Sequence, residues 1–508
     1  MNRAPDLKID RLLVAGMGRS GVAAAGAARR MLPQADILLS DRQEVTLDPD
    51  TRSSLQNAGV RIEAGRDDAG LLDGCGLVIK SPGVPADVPL LTEARRRGIP
   101  VWGEVEFALR FLPNPMVGVT GTNGKTTTTE LIGHILRGAG RPCRVAGNVG
   151  TALSTLAGRV EARDILVVEL SSFQLEDSVL LRPDIAVLLN LTEDHMDRHH
   201  GPGPYFAAKT RIFANQRPQD LAVINLDDPN CRRPLPGSAC QAWFSRGSGD
   251  AAAAAQAMGI EPLVTVRDGV IVADMAALAA ASGDLRGRLP EGGRKEPPGG
   301  EISRRENTRR RRGGPVEIVA WEAASLKGEH NLDNSLAATA VSIGLGLGPG
   351  EVAAGLRSFP GVRHRLQEVR TVDGVRYVDD SKATNADAAI KALTAFPGGI
   401  HLILGGSLKG CSFDRLAAAA AGRVREVILI GEAAAEISAS FERQGFPGQG
   451  GKVIMAGRLE DAVKIASGNA VPGDVVLLSP ACASFDQYRD FEERGEHFIS
   501  LVSKIGKK

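Results

Sequence analysis

The run Val117-Gly-Val-Thr120 opens into Gly121-Thr-Asn-Gly-Lys-Thr-Thr127, and a helix is expected from Thr126 to about Leu136. A strand that passes through a glycine loop into Lys-Thr and a helix is the layout of a nucleotide phosphate cradle. Glycines let backbone N–H groups approach phosphate oxygens, and the helix N-terminus favours negative charge. Gly121, Thr122, Asn123 and Gly124 form the cradle, Lys125 reaches the outer phosphates, and Thr126 or Thr127 offers a hydroxyl to Mg²⁺. The loop is one residue shorter than the common G-x-x-x-x-G-K-[ST] pattern. ATP binding is the first expectation, and a largely parallel α/β sheet is the fold that houses such a loop.

At 508 residues the chain exceeds one ordinary core, so several domains are expected. A net charge of +1 gives no reason to expect nucleic acid or an anionic membrane as partner. No apolar run reaches the length of a membrane span, and the N-terminus lacks an apolar signal core. Six scattered cysteines without C-x-x-C spacing read as reduced thiols of a cytoplasmic protein.

Three segments emerge. In the first, residues 1–113, the strand Arg11–Ala15 runs into Gly16-Met-Gly-Arg-Ser-Gly21, and Ile37–Asp41 ends in a carboxylate. That is the outline of a Rossmann unit, although the same glycines also suit a plain tight turn. Leu77–Lys80 leads into Ser81-Pro-Gly83, a further anion-binding turn. The second segment, residues 114–325, alternates strands at 165–168, 185–189 and 221–224 with helices. Residues 283–315 break its composition with Gly, Pro and Arg, and read as a disordered insertion. The third segment, residues 326–508, has strands expected at 376–378, 400–404, 427–430 and 475–478, and so a second doubly wound sheet.

Polar groups gather at the ends of these strands. Glu169 closes one strand of the middle segment, placed to hold Mg²⁺, with Ser171 and Ser172 facing the same crevice. His195, flanked by Asp194 and Asp197, follows the next strand as a metal ligand or acid/base group. Lys209 reads locally as an ordinary helix lysine. In the third segment Asp379-Asp-Ser-Lys-Ala-Thr-Asn385, Gly405-Gly-Ser-Leu-Lys-Gly410 and Ser479-Pro-Ala-Cys-Ala-Ser484 each follow a strand. Cationic loops there suit carboxylate or phosphate ligands.

The blocks Gly118–Thr126, Gly147-Asn148, Glu169–Glu176, Asn190–Arg198, His330–Asn334, His364-Arg365, Asp379–Asn385 and Ser479–Gln487 resemble the Mur ligase family. Their detailed spelling is most similar to the branch that adds D-glutamate in peptidoglycan synthesis. The resemblance implies three α/β domains: a Rossmann-like domain for a UDP-linked substrate, a central P-loop ATPase-like domain, and a Rossmann-like C-terminal domain. It implies ATP and Mg²⁺, a carboxylate substrate in UDP-N-acetylmuramoyl-L-alanine, an acyl-phosphate intermediate and a monomeric enzyme. Lys125 then contacts phosphates, Thr126 and Glu169 bind one Mg²⁺, and His195 serves a second. Lys209 aligns with a lysine that the family carbamylates. Ser20, Asp41, Arg42, Ser81, Gly83, Asn148, Ser171 and Gln174 fall along the UDP-linked substrate, which replaces the dinucleotide reading of the glycines. Asn331, Asn334, Arg365 and Asp380 fall to ATP; Lys382, Thr384, Lys409, Ser484 and Phe491 fall to D-glutamate.

Other readings predict different blocks. A ligase adding diaminopimelate or lysine is expected to carry Asn-Pro-Arg, which does not occur. A nucleotide-dependent regulatory protein would keep Lys125 without needing Glu169, His195 and Lys382. An oxidoreductase would rest on the N-terminal glycines alone.

Overall fold

A computed structural model describes residues 9–45, 47–192, 196–199, 201–282, 314–407, 412–446 and 451–506. The expected insertion at 283–315 thus lies almost wholly outside the described residues, as do His195 and Lys409. The chain forms two compact units, Met1–Phe359 and Pro360–Lys508. Three α/β layers are present, two of them in the first unit.

The first layer is a parallel sheet of β1 (Arg11–Ala15), β2 (Asp36–Asp41), β3 (Val60–Ala64), β4 (Leu77–Lys80) and β5 (Val101–Gly103), in the order β3-β2-β1-β4-β5. β1, β2 and β4 are almost wholly buried, so their apolar residues run continuously rather than alternating. Every strand delivers its following loop to the same carboxyl edge.

The second layer has nine strands. β6 (Met116–Thr120) lies between β8 (Ile165–Glu169) and β9 (Ile185–Leu188), with β7 (Cys143–Gly147) at the β8 edge. β10 (Leu221–Asn225), β11 (Cys240–Ser245) and β12 (Val264–Arg267) extend the sheet beyond β9, and all these pairings are parallel. β13 (Val270–Ala273) and β14 (Val316–Ala320) close that edge in antiparallel fashion. The helix Lys125–Gly138 packs against β6, β7 and β8 and buries Leu131, Ile132, Ile135 and Leu136.

The first unit extends to Phe359 and so includes the helices that follow residue 325. The helices Glu329–Gly344 and Pro349–Ser358 pack on the helix Lys125–Gly138, and the former also covers β10 and β11. Ser335 and Thr339 hand their hydroxyls to carbonyls one turn back, which lets polar residues sit in a nearly continuously buried helix.

The second unit holds β15 (Gln367–Val372), β16 (Val375–Asp379), β17 (Ile400–Gly405), β18 (Val424–Ile430), β19 (Lys452–Gly457) and β20 (Val475–Leu478), ordered β15-β16-β20-β17-β18-β19. Only β15 is antiparallel, so the loops after β16, β20 and β17 leave neighbouring strands at one edge.

Candidate active site

The phosphate loop is held open from outside itself. Asn190, just past β9, accepts from the Asn123 N–H at 2.8 Å and donates to the Asn123 carbonyl at 3.1 Å. Its own carbonyl accepts from the Thr122 N–H. Gly124 adopts φ +83°, and a side chain there would collide with Asn334 Oδ1. Asn334 is buried, accepts from Thr128 Oγ1 at 3.1 Å and donates to Asn331 Oδ1 at 3.1 Å. Asn331 and Asn334 therefore lie behind the loop, on the helix Glu329–Gly344.

Two ammonium groups meet on one carbonyl. Lys125 Nζ donates to Gly121 O at 3.0 Å and Thr122 O at 2.8 Å, and Lys209 Nζ donates to Gly121 O at 2.8 Å. Lys209 is 2% exposed and lies 4.8 Å from the Tyr205 ring centroid. The local reading of Lys209 as an ordinary helix lysine is thus corrected: burial at the phosphate loop is not the setting of a solvated lysine. Glu169 pairs in register with Val119 of β6, so its carboxylate stands beside the loop, 3% exposed. It accepts from Asn148 Nδ2 at 3.0 Å. Thr126 is half-buried and Thr127 buried at the start of the helix. Ser171 and Gln174 form a reciprocal capping box at the helix Ser172–Glu176, which uses the Ser171 hydroxyl locally.

A Mg²⁺ fits the donor set. Glu169 and Thr126 offer hard oxygen donors beside the glycine loop, and Mg²⁺ characteristically takes one or two carboxylates plus phosphate oxygens and water. Among the described residues no group of three or more His, Cys, Asp or Glu side chains could hold a metal.

At the carboxyl edge of the first sheet lies a cavity of about 400 Å³, lined by the expected Ser20, Asp41, Arg42, Ser81 and Gly83. Asp41 accepts from the Met17 N–H at 2.8 Å and the Gln43 N–H at 3.0 Å, fixing the turn after β1 to the turn after β2. Ser81 Oγ donates to Gly16 O at 3.1 Å. Arg19, Gln43 and Arg66 also line the cavity. Sequence reading missed them, since an arginine after a glycine turn has no distinctive spacing.

In the second unit, Asp380 is buried, accepting from Ser479 Oγ at 2.7 Å and the Leu366 N–H at 3.2 Å. Burial pushes its carboxyl up to about 7, against the pull of Ser479 and the Arg365 charge. Lys382 Nζ lies 5.4 Å from the Phe491 ring, and Ser381 Oγ donates to Phe491 O at 2.8 Å. Thr384 follows on the same loop, its N–H donating to Lys382 O, and Ser484 is buried in the loop after β20.

Arg494, unremarked in the sequence, gathers these loops. It is 1% exposed and donates to Ser381 Oγ and O, Cys482 O, Ala483 O and Gly405 O, at 2.9–3.4 Å. Burial lowers its guanidinium to about 10. His364, at φ +60°, places Nδ1 2.7 Å from Asp379 and Nε2 3.1 Å from Glu496. Beside Arg494, a side chain at Gly495 would strike the His364 ring.

Comparison with known proteins accords with this geometry. Residues 119–265 match the Mur ligase middle domain, and residues 364–482 match the Mur ligase glutamate ligase domain. A protein of Koribacter versatilis named UDP-N-acetylmuramoylalanine–D-glutamate ligase is 39% identical over 99% of both chains. Another so named, from Pelotomaculum thermopropionicum, is 38% identical over 99% of both. The fold is similar to UDP-N-acetylmuramate–alanine ligase of Thermotoga maritima (TM-score 0.56, 18% identity, 97% of this chain and 99% of that one). It is also similar to a MurF ligase of that organism solved with ADP (TM-score 0.52, 18% identity, 99% and 97%). The chain belongs to the Mur ligase family.

Proposed function

We propose that this protein is an ATP-dependent ligase that joins the carboxylate of UDP-N-acetylmuramoyl-L-alanine to the amine of D-glutamate, releasing ADP and phosphate. The observation that carries the reading is the meeting of Lys125 and Lys209 on Gly121 O, beside the buried Glu169. The printed names of relatives 38–39% identical along nearly the whole chain supply the substrates.

The substrate carboxylate attacks the γ-phosphorus of ATP, and ADP leaves with the electrons of the broken P–O bond. The D-glutamate amine then attacks the acyl carbon, and the tetrahedral intermediate expels phosphate. Charge builds on phosphoryl oxygens in the first step, so Lys125 and the N–H groups of residues 121–127 act where stabilisation counts most. Thr126 and Glu169 would hold Mg²⁺, which supplies charge neutralisation on the phosphates when bound. His195 and a carbamylated Lys209 are assigned to a second ion; carbamylation turns the ammonium into a carboxylate-like ligand.

The cavity lined by Ser20, Asp41, Arg42, Ser81 and Gly83 is assigned to the uridine diphosphate, and Asn148, Ser171 and Gln174 are assigned to the muramoyl-alanine end. In the second unit Lys382, Thr384, Lys409, Ser484 and Phe491 are assigned to D-glutamate, and Arg365 and Asp380 to ATP. The test is ADP release with each substrate omitted in turn. The reading requires both the UDP-linked acid and D-glutamate; equal ATP turnover without the amino acid would defeat it. Among the described residues no helix is long and apolar enough to cross a membrane.

A further inference from the structure

The wall of the uridine cavity is tied to the phosphate-loop side of the same unit through a seam that no step above uses. Residues Ser81–Pro85 form that wall: the Ser81 N–H donates to Ala15 O, and the Val84 N–H donates to Ser81 O. Arg198, on the short helix Met196–His199, donates through Nη2 to Pro82 O at 3.1 Å and approaches Val84 O at 3.5 Å. Its guanidinium carbon lies 4.0 Å from the centroid of the Phe173 ring. A planar guanidinium can donate in its plane while its face stacks, which a lysine ammonium cannot do.

Val84 O also accepts from Lys80 Nζ at 2.9 Å, so two cations share one carbonyl. Lys80 is 1% exposed and paired with Asp177 at 2.7 Å. Burial lowers the Lys80 ammonium and Arg198 lowers it further, while Asp177 and Glu176 raise it. Asp177 caps the helix Ser172–Glu176, and it approaches so closely that a side chain at Gly103 would press on it at 2.7 Å.

His199, next to Arg198, continues the seam. Its Nε2 lies 3.0 Å from Ser172 Oγ and its Nδ1 3.0 Å from Glu176, and the ring stacks on Phe173 at 5.4 Å and 12°. It meets the Tyr205 ring edge-on at 5.1 Å, and Tyr205 OH lies 3.0 Å from Thr122 Oγ1 in the phosphate loop.

We propose that Arg198 is a positioning residue that holds the uridine-cavity wall in register with the helix Ser172–Glu176 and, through Phe173, His199 and Tyr205, with the phosphate loop. The inference rests on the ligase reading for its rate readout and on UDP binding for its affinity readout. Spatial continuity alone is no evidence of coupling, so the test must read both ends.

Full-length Arg198→Ala, Arg198→Lys and Phe173→Leu are titrated calorimetrically with UDP and with a non-hydrolysable ATP analogue plus Mg²⁺, and kcat is read from ADP release. Arg198→Ala is expected to weaken UDP binding about fivefold or more and to lower kcat about fivefold or more, with the ATP-analogue Kd within about twofold. Arg198→Lys keeps the charge and is expected to recover less than half of each loss on a logarithmic scale. Phe173→Leu is expected to lower kcat in the same direction, and it stands with the lysine variant if the alanine variant does not fold. Weakened UDP binding with wild-type kcat, lowered kcat with wild-type UDP binding, or full rescue by lysine overturns the proposal. If the wild-type protein binds UDP but releases no ADP with both substrates, the ligase reading fails. The seam is then judged by UDP affinity alone, and an unchanged Kd in Arg198→Ala rejects it.

Discussion

Asp380→Asn separates what the second unit needs for stability from what it needs for chemistry. The unfolded carboxyl titrates near 3.8, and burial holds the folded one at about 7. Between those values the folded chain keeps a proton that the unfolded chain has released, so stability falls as pH rises through the window. The full cost above pH 7 is about 4 kcal/mol, from a shift of about three units at 1.36 kcal/mol each. Asparagine keeps the shape and can still accept from the Leu366 N–H and bond to Ser479, without the charge. The variant's stability advantage should therefore grow by about 2.5 kcal/mol between pH 5 and pH 8. All three tryptophans, Trp102, Trp243 and Trp321, lie in the first unit, so their fluorescence serves as an internal control. Hydrogen exchange of the β17 and β20 amides reads the second unit. ATP turnover in the variant should fall strongly at every pH. A stability difference between Asp and Asn that stays flat from pH 5 to pH 8 would refute the reasoning.

Lys125→Ala should abolish ATP-dependent ligation while leaving UDP affinity unchanged by calorimetry, and near-normal turnover would remove the phosphate assignment. Lys209→Ala should lose activity and regain part of it with added short-chain carboxylic acids; absence of rescue at any concentration counts against the carbamate. Arg494→Met should destabilise the second unit by about 3–5 kcal/mol, because it strands several buried carbonyl groups that one charged donor now satisfies. Arg494→Lys, with at most three donors for acceptors on three loops, should fold and raise the KM for D-glutamate more than that for ATP. Equal effects on both KM values would contradict the gathering role.

The parallel framework was legible because buried parallel strands read as short apolar runs between glycine turns. β1, β4 and β20 fall where the sequence places them, and β6 and β8 differ by a residue at an end. The antiparallel β13 and β14 were not foreseen: each is short, β14 is the sheet edge, and they flank the composition break. The packing of the helix Glu329–Gly344 was not legible, because it is buried on nearly all sides and nothing in its local pattern says which sheet it covers. The glycine loop after β6 and the place of Glu169 at the end of β8 were legible in the sequence. Lys209 and Arg494 were not, since burial is a property of the fold and a basic residue on a helix carries no local sign of it. The resemblance singled out Lys209, and only the structure singled out Arg494.

The central claim is that the substrate carboxylate is phosphorylated before the amide forms, and isotope transfer tests it most directly. UDP-N-acetylmuramoyl-L-alanine labelled with ¹⁸O in both carboxyl oxygens is turned over with ATP, Mg²⁺ and D-glutamate, and the released phosphate is examined by mass spectrometry. Because the bridging oxygen of the acyl phosphate leaves with phosphorus when the amine attacks carbon, each phosphate should carry one ¹⁸O and the amide should retain the other. Amide formation accompanied by unlabelled phosphate would contradict the account.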